Sequence, residues 1–172
     1  MSSQTARSVS LALVGGVAAM LFFRFGLLIW AGFVAWAILA GAGDDSSALQ
    51  KTIAGTIFGA VMAWGAFMLN TLVEVPAEGW LWVPRIGVSV AITLLILGVA
   101  TRASMLSYLP ASLAGYAALF GAMATAIAGQ SDASILNSPH LHNPLINVVI
   151  SMVGGALFAS ASNRVAGSLT KQ

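Results

Sequence analysis

Long runs of apolar residues, separated by short polar segments, place the strongest constraint on how this chain can fold. A helix needs about 20 apolar residues to cross the hydrocarbon core of a bilayer, at about 1.5 Å of rise per residue. Reading for such runs gives six candidate spans, at about 9–23, 26–42, 52–73, 83–101, 105–128 and 145–162. The sequence therefore predicts an all-α, polytopic membrane protein with six transmembrane helices, in which residues 1–172 form a single transmembrane domain.

The composition agrees with this fold class and excludes several functions. Hydrophobic residues make up 59% of the chain and charged residues only 7%, against about 25% charged in soluble proteins, so a water-soluble surface could not be covered. The absence of cysteine excludes disulfides and thiolate sites. Since no basic cluster is present, we expect no nucleic-acid partner; the partner expected from composition is the lipid bilayer.

The distribution of basic residues predicts the orientation of the spans. Six spans place both termini on one side, and the positive-inside rule makes the side richer in lysine and arginine cytoplasmic. The terminal side carries Arg7, Lys51, Arg102, Arg164 and Lys171, and the other side carries Arg24 and Arg85. We therefore expect a bacterial inner-membrane protein with cytoplasmic termini, and Trp80 and Trp82 in the outer interfacial belt. The N-terminal segment also fits a signal peptide, but five further apolar runs favour a first span.

The two halves of the chain show a weak internal likeness. Residues 30–41 align with 110–121, and residues 56–63 align with 152–159. Arg24 and Arg102 precede the first pair of aligned segments. If the likeness is a true repeat, each unit has three spans, so the two units enter the membrane from opposite sides and form an inverted 3+3 repeat. Secondary transporters with inverted repeats bind their solutes between the two halves. Chance matches among small residues are the alternative.

No constellation of catalytic residues is visible. His140 and His142 lie two residues apart in a loop without a metal-binding pattern, and no phosphate-binding loop or nucleophile with a base is present. The carboxylates all fall in predicted loops: Asp44, Asp45, Glu74, Glu78 and Asp132. We therefore expect no enzyme activity, no metal and no cofactor.

Polar and aromatic side chains within the spans are the candidates for a solute path. The candidates are Trp36, Thr56, Trp64, Asn70, Ser112 and Tyr116, with Pro110 as a predicted helix break and Arg24, Lys51 and Arg102 as cations at the mouths. Each has a structural alternative, because hydroxyls bond to their own helix, a membrane helix tolerates a proline kink, and arginines near span ends reach the headgroups.

Small residues recur on two of the spans. Gly55 and Gly59 form a GxxxG pair in the third span, and Gly154 and Gly155 mark the sixth. Such residues let helix backbones approach closely in lipid. They predict either packing within the chain or a subunit interface, and we expect a homo-oligomer, with a dimer favoured.

Three stretches resemble known membrane families. LIWAGFVAWAILA at 28–40, KTIAGTIFG at 51–59 and SYLPASLAGYAALFGA at 107–122 resemble an uncharacterised family of small six-span bacterial inner-membrane proteins that includes the enterobacterial protein YcdZ. Trp30, Lys51 and the GTIFG motif at 55–59 are also similar to the transmembrane domain of aromatic-acid and fusaric-acid exporters and plant malate-type anion channels. That similarity implies an organic-anion path lined by Lys51, Arg24 and Arg102, although lysine stands where arginine is usual.

Together these features predict a channel or permease for a small solute, with a small organic anion or weak acid favoured. One alternative is a channel for a small neutral solute such as an amide or urea, in which the arginines only anchor the helices. A second alternative is a membrane scaffold or accessory subunit that transports nothing.

Overall fold

A computed structural model describes residues 1–43, 46–72, 82–127 and 139–170, and these residues form helices and turns without a strand. The six α-helices are α1 (Ser3–Phe25), α2 (Ile29–Ala42), α3 (Ser46–Thr71), α4 (Trp82–Ala100), α5 (Leu109–Ile127) and α6 (Pro144–Thr170), with a 3₁₀ turn at Ser104–Leu106. By length and composition α1, α3, α4 and α6 could each cross a membrane, whereas the apolar helices α2 and α5 are shorter. The described part of the chain is therefore an all-helical protein of the membrane-embedded type.

The α1–α2 junction is a turn that glycine makes possible. Ser2 caps the start of α1 by accepting a hydrogen bond from the Thr5 N–H. At the other end Gly26 has φ of 67°, in the left-handed region where a Cβ is disfavoured, and its N–H bonds to carbonyls of the last turn. The chain thus leaves α1 just after Arg24 and enters α2 three residues beyond Gly26, as the division of this apolar run into two helices predicts.

Contacts along the helices give their directions. Ser10 on α1 donates to the Ser162 carbonyl of α6 at 2.6 Å, and Phe22 further along α1 meets Phe158, so α1 and α6 are antiparallel. Leu28 lies at Ser151 and Gly32 at Gly155, so α2 runs parallel to α6. In the same way Gly55 lies at Ala111 and Phe67 at Phe120, so α3 runs parallel to α5.

Small residues fill the core, and large apolar residues cover the outside. The main buried cluster contains alanines of α2, α3, α5 and α6 together with Leu97, Leu119 and Met152. In contrast Leu13, Met20 and Leu95 are more than half exposed, at 62%, 68% and 70%. A water-soluble protein would bury such side chains, whereas a lipid environment leaves no hydrophobic penalty for their exposure.

The helix bounds correct the predicted spans in one functional respect. Pro110 does not break a span that begins at residue 105, because α5 begins at Leu109 and places Pro110 in its first turn. Proline is tolerated there since the first amides of a helix have no intrahelical acceptor. α1, α3 and α6 also extend beyond their apolar runs into polar sequence.

Part of the chain falls outside the described ranges. The five carboxylates, Trp80 and Lys171 all belong to that part, as does the loop between α5 and α6 up to residue 138. The predictions made for them, including the outer aromatic belt, remain predictions.

Candidate functional site

The ten residues predicted to line a solute path are distributed over four regions. Thr56, Ser112 and Tyr116 are buried where α3 meets α5, and Trp36 is buried on the other side of the bundle, near Ala159 of α6. Trp64 and Asn70 are partly buried further along α3. The remaining residues lie at or near helix ends: Lys51 is partly exposed, and Arg24, Arg102 and Pro110 are exposed.

Two glycines allow the backbones of α3 and α5 to touch. A Cβ on Gly59 would overlap the carbonyl of Ser112, and a Cβ on Gly115 would overlap the carbonyl of Thr56. Thr56 and Ser112 are therefore both at the closest approach of the two helices. The GxxxG pattern predicted a packing face here, but Gly115 on the facing helix was not singled out.

Hydroxyl groups at this crossing differ in their bonding. Thr56 Oγ1 donates to the Ile53 carbonyl at 3.0 Å, within its own helix. Ser112 Oγ and Thr52 Oγ1 are buried without a hydrogen-bond partner. Thr52 lies one turn before Thr56 on the same face of α3 and is not among the predicted path residues. Its i, i+4 spacing from Thr56 is the sequence feature that could have placed it beside Thr56.

A line of polar contacts joins α3, α4 and α5 beyond the crossing. Asn70 Nδ2 donates to Ser89 Oγ at 2.6 Å and to the Ala66 carbonyl at 2.7 Å. Thr93, one turn after Ser89, bonds to the Tyr116 hydroxyl at 2.9 Å. The structure thus gives Asn70 and Tyr116 partners on α4, Ser89 and Thr93, which were absent from the predicted path.

Two polar residues of α6 hold the α1–α2 turn. Ser151 Oγ accepts from the Leu28 N–H at 2.9 Å and donates to Asn147 Oδ1 at 3.1 Å. Asn147 Nδ2 donates to the Gly26 carbonyl at 3.0 Å and to the Leu141 carbonyl at 3.1 Å. Neither residue is among the predicted path residues, although both lie in an apolar helix at i, i+4 spacing.

Two open cavities lie at opposite ends of α1, α2 and α6. One, of about 400 Å³, is bordered by Gly26, Leu28, His142 and Asn147. The other, of about 370 Å³, is bordered by Arg7, Ser8, Trp36, Ser162 and Asn163. Between the two ends Gly155 of α6 lies directly against the Gly32 backbone of α2. Of the ten predicted path residues, Trp36 lines one of these two cavities.

The exposed cations occupy both ends of the molecule. Arg24, in the last turn of α1, lies at the end of the bundle that carries Asn147. Arg102 precedes α5 at the opposite end, where the Tyr108 hydroxyl donates to the Ile38 carbonyl of α2 at 3.2 Å. Within residues 1–43, 46–72, 82–127 and 139–170, no cluster of three potential metal ligands occurs.

Comparison with known proteins gives one match. The model of a family described as "Protein of unknown function (DUF1097)" matches residues 8–167. No curated protein and no solved structure matches the chain.

Proposed function

The chain belongs to the DUF1097 family of proteins of unknown function, and we propose that it is a six-span membrane permease for a small weak acid or organic anion. The observation that carries this proposal is a backbone contact that occurs twice, once in each half of the chain. The proposal includes an inverted repeat of α1–α3 and α4–α6, with the solute bound between the halves.

The repeated contact follows from the sequence alignment of the two halves. In that alignment Gly59 corresponds to Gly155, and Ser112 corresponds to Gly32. A Cβ on Gly59 would overlap the Ser112 carbonyl, and a Cβ on Gly155 would overlap the Gly32 carbonyl. Equivalent residues thus make equivalent contacts, which a fortuitous likeness between small-residue segments does not require.

The packing of whole helices supports the same relation. If α1 corresponds to α4, α2 to α5 and α3 to α6, then the parallel pair α3–α5 corresponds to α6–α2. The antiparallel pair α1–α6 corresponds in the same way to α4–α3, and all four pairs are packed. In transporters built from inverted repeats, the solute site lies near the midplane where the halves meet.

Charge placement favours a weak acid. The side chains that are buried as a whole in the described helices carry no charge: their polar groups are hydroxyls of serine, threonine and Tyr116 and the Trp36 indole, with the amide of Asn143 just before α6. The cation Arg85, near the start of α4, is partly buried. The exposed cations Arg24 and Arg102 lie at opposite ends, where each attracts an anion from its own side. We propose that the acid is concentrated at either end as an anion and passes the neutral interior in its protonated form. The resemblance to organic-anion exporters supports this solute class.

The remaining parts of the proposal concern location and assembly. The excess of basic residues on the terminal side supports an inner-membrane location with cytoplasmic termini. The exposed apolar surfaces of α1 and α4 support a lipid-embedded protein and leave room for a homodimer contact. We propose no catalytic activity.

Flux into proteoliposomes tests the proposal. Purified protein is reconstituted with an internal pH-sensitive dye that reports uptake of acetate added outside, and uptake of urea is followed by vesicle swelling in light scattering. We expect acidification with acetate above the protein-free rate. Because surface charge raises the local concentration of the anion, Arg24→Gln with Arg102→Gln is expected to lower this rate by about tenfold at low salt. Arg164→Gln, an exposed cation outside both cavities, is the matched control.

The rival functions predict different results. A neutral-solute channel would conduct urea at a rate unchanged by the double arginine variant. A scaffold would conduct neither solute and would purify with a stoichiometric partner. Either result contradicts a weak-acid permease.

A further inference from the structure

From the cavity at the N-terminal end of α1 we infer a binding site for the phosphate headgroup of an anionic phospholipid, with Arg7 as its cationic ligand. The inference rests on the membrane-embedded character of the proposed function, but not on transport. It assigns a role to Arg7 that the solute-path candidates leave out.

Three helices, α1, α2 and α6, surround the cavity of about 370 Å³ that Arg7 borders. Its lining from α1 consists of Arg7, Ser8 and Leu11. The other walls come from Trp36 and Ala40 of α2 and from the C-terminal turns of α6. Arg7 also borders a second cavity of about 200 Å³ with Ser3, Asn163 and Thr170. Arg7 therefore borders both cavities, and the larger of the two is big enough for a phosphate group.

Arg7 gives the described lining of the cavity a positive charge. Arg7 is the charged residue among those of the described chain that line it, and a guanidinium stays protonated and matches phosphate with paired N–H donors. Asn163 adds an amide to the same wall. The Ser8 hydroxyl donates to the Gln4 carbonyl at 3.1 Å, and Ser162 pairs with Ser10, so Arg7 is the principal donor for an anion.

An exposed apolar surface of α1 and α2 lies next to the cavity that Arg7 borders. Trp36 forms the inner wall of the cavity, and Phe33 stacks on its indole with ring centroids 5.9 Å apart. Beyond Phe33 the helices leave only a cleft of about 10 Å³ among Ala18, Phe22, Ile29 and Gly32, so an acyl chain lies along this surface and not inside it. α1 packs on α6 and barely touches α2, which leaves this surface open towards the surroundings.

The cavity with Arg7 and the apolar surface beside it together identify the class of ligand. A soluble anion needs only the polar cavity, whereas a phospholipid places its headgroup in the cavity and an acyl chain along the exposed apolar side chains of α1 and α2, such as Leu11 and Phe33. Basic pockets between membrane helices on the side rich in cations recognise anionic headgroups in this way. The site lies at the end of the bundle that also carries Arg102 and Arg164, where anionic lipid is expected.

Native mass spectrometry of the full chain in detergent tests the site. Phosphatidylglycerol and phosphatidylcholine with identical acyl chains are added in equal amounts. We expect wild type to retain phosphatidylglycerol preferentially. Because a single cation near the surface contributes about 1 kcal/mol, Arg7→Gln is expected to reduce the preference by about fivefold. Arg7→Met tests the same loss of charge with a different side chain, while Arg7→Lys should keep most of the preference.

Matched controls make the result specific. Arg164→Gln removes an exposed arginine from the same end of α6 without touching either cavity, and it should leave the lipid preference unchanged. Asp44 and Asp45 follow Gly43 outside the described residues, and the D44N/D45N variant should keep or raise the preference. Free glycerol 3-phosphate at the same concentration should not displace the lipid, because it has no acyl chain to contact the apolar surface of α1 and α2.

Several outcomes would overturn the inference. They are equal retention of the two lipids by wild type, an equal loss in Arg7→Gln and Arg164→Gln, a loss in D44N/D45N, or displacement by free glycerol 3-phosphate. Since Arg7 is exposed, its variants should fold, and an unchanged thermal unfolding midpoint would verify this. The lipid measurement involves no flux, so it can fail or succeed independently of the proposed transport.

Discussion

Individual glycines decide how closely the helices of this protein approach. At Gly59 and Gly155 the position of a Cβ is taken by a backbone carbonyl of the facing helix, whereas a Cβ on Gly16 or Gly98 would meet nothing within 4 Å. Sequence alone does not separate these two kinds, because all four lie in apolar helices. The difference arises from the facing helix, and it determines which glycine tolerates a side chain.

Alanine substitutions should reproduce that difference. Gly59→Ala and Gly155→Ala each force two helices apart, and we expect each to lower the free energy of unfolding by about 1–3 kcal/mol. Gly16→Ala and Gly98→Ala should be neutral or slightly stabilising, since alanine is the better helix former. Thermal unfolding in one detergent provides the measurement. Equal effects in all four variants would contradict the close backbone contacts.

At the scale of single helices, local chemistry sets the ends and tertiary contacts hold the turns. Pro110 illustrates the first point, because it marks the beginning of α5 rather than a break within it. Ser151 illustrates the second, since its hydroxyl binds the N–H of Leu28, at the start of α2. Both residues therefore act on the ends of helices, although one does so through its own backbone and the other from a distant helix.

Replacing Pro110 should have little effect. A first-turn proline removes no intrahelical hydrogen bond, so Pro110→Ala is expected to change the unfolding free energy by less than about 1 kcal/mol. Ala114→Pro, one turn further into α5, should cost about 3 kcal/mol or more. The comparison is made by thermal unfolding and by acetate flux. A large loss of flux in Pro110→Ala with the fold intact would restore the functional helix break predicted from the sequence.

Removing the Ser151 hydroxyl should loosen the α1–α2 turn. Ser151→Ala leaves the Leu28 N–H without its acceptor, and a buried unpaired donor costs about 1–3 kcal/mol. Ser160→Ala on the same helix is the control, with a small expected effect. Hydrogen exchange at Leu28 is the direct measurement, and it should accelerate only in Ser151→Ala. Unchanged protection at Leu28 would show that the turn does not depend on this bond.

For the whole molecule, the corresponding helix pairs place both chain termini at one end. The hydrogen bond from Tyr108 to Ile38 places the start of α5 beside the end of α2. Because α2 and α6 are parallel, the end of α6 lies at the same end of the molecule. Ser10 and Ser162 bring the start of α1 to the same end. In a membrane, this arrangement predicts that the two termini face the same compartment.

Cysteine labelling can test this topology, because the chain contains no cysteine of its own. Single variants Ser3→Cys, Ala103→Cys and Ser168→Cys are expected to react with a membrane-impermeant maleimide only from the cytoplasmic side. His140→Cys, which lies before α6 at the other end, should react only from outside. All four positions are exposed. Labelling of Ser3→Cys and Ser168→Cys from opposite sides would exclude six spans.

The sequence by itself was sufficient for the class of the fold and the approximate places of its helices. Apolar runs and Gly26 at the end of α1 act locally or through composition, so their consequences can be read along the chain. Only the tertiary structure decided which residues meet. It placed Arg7 and Trp36 on one cavity, gave Asn70 and Tyr116 partners on α4, and set Gly59 against Ser112. Such contacts depend on the direction and register of helices far apart in sequence, which the periodicity of one helix does not specify.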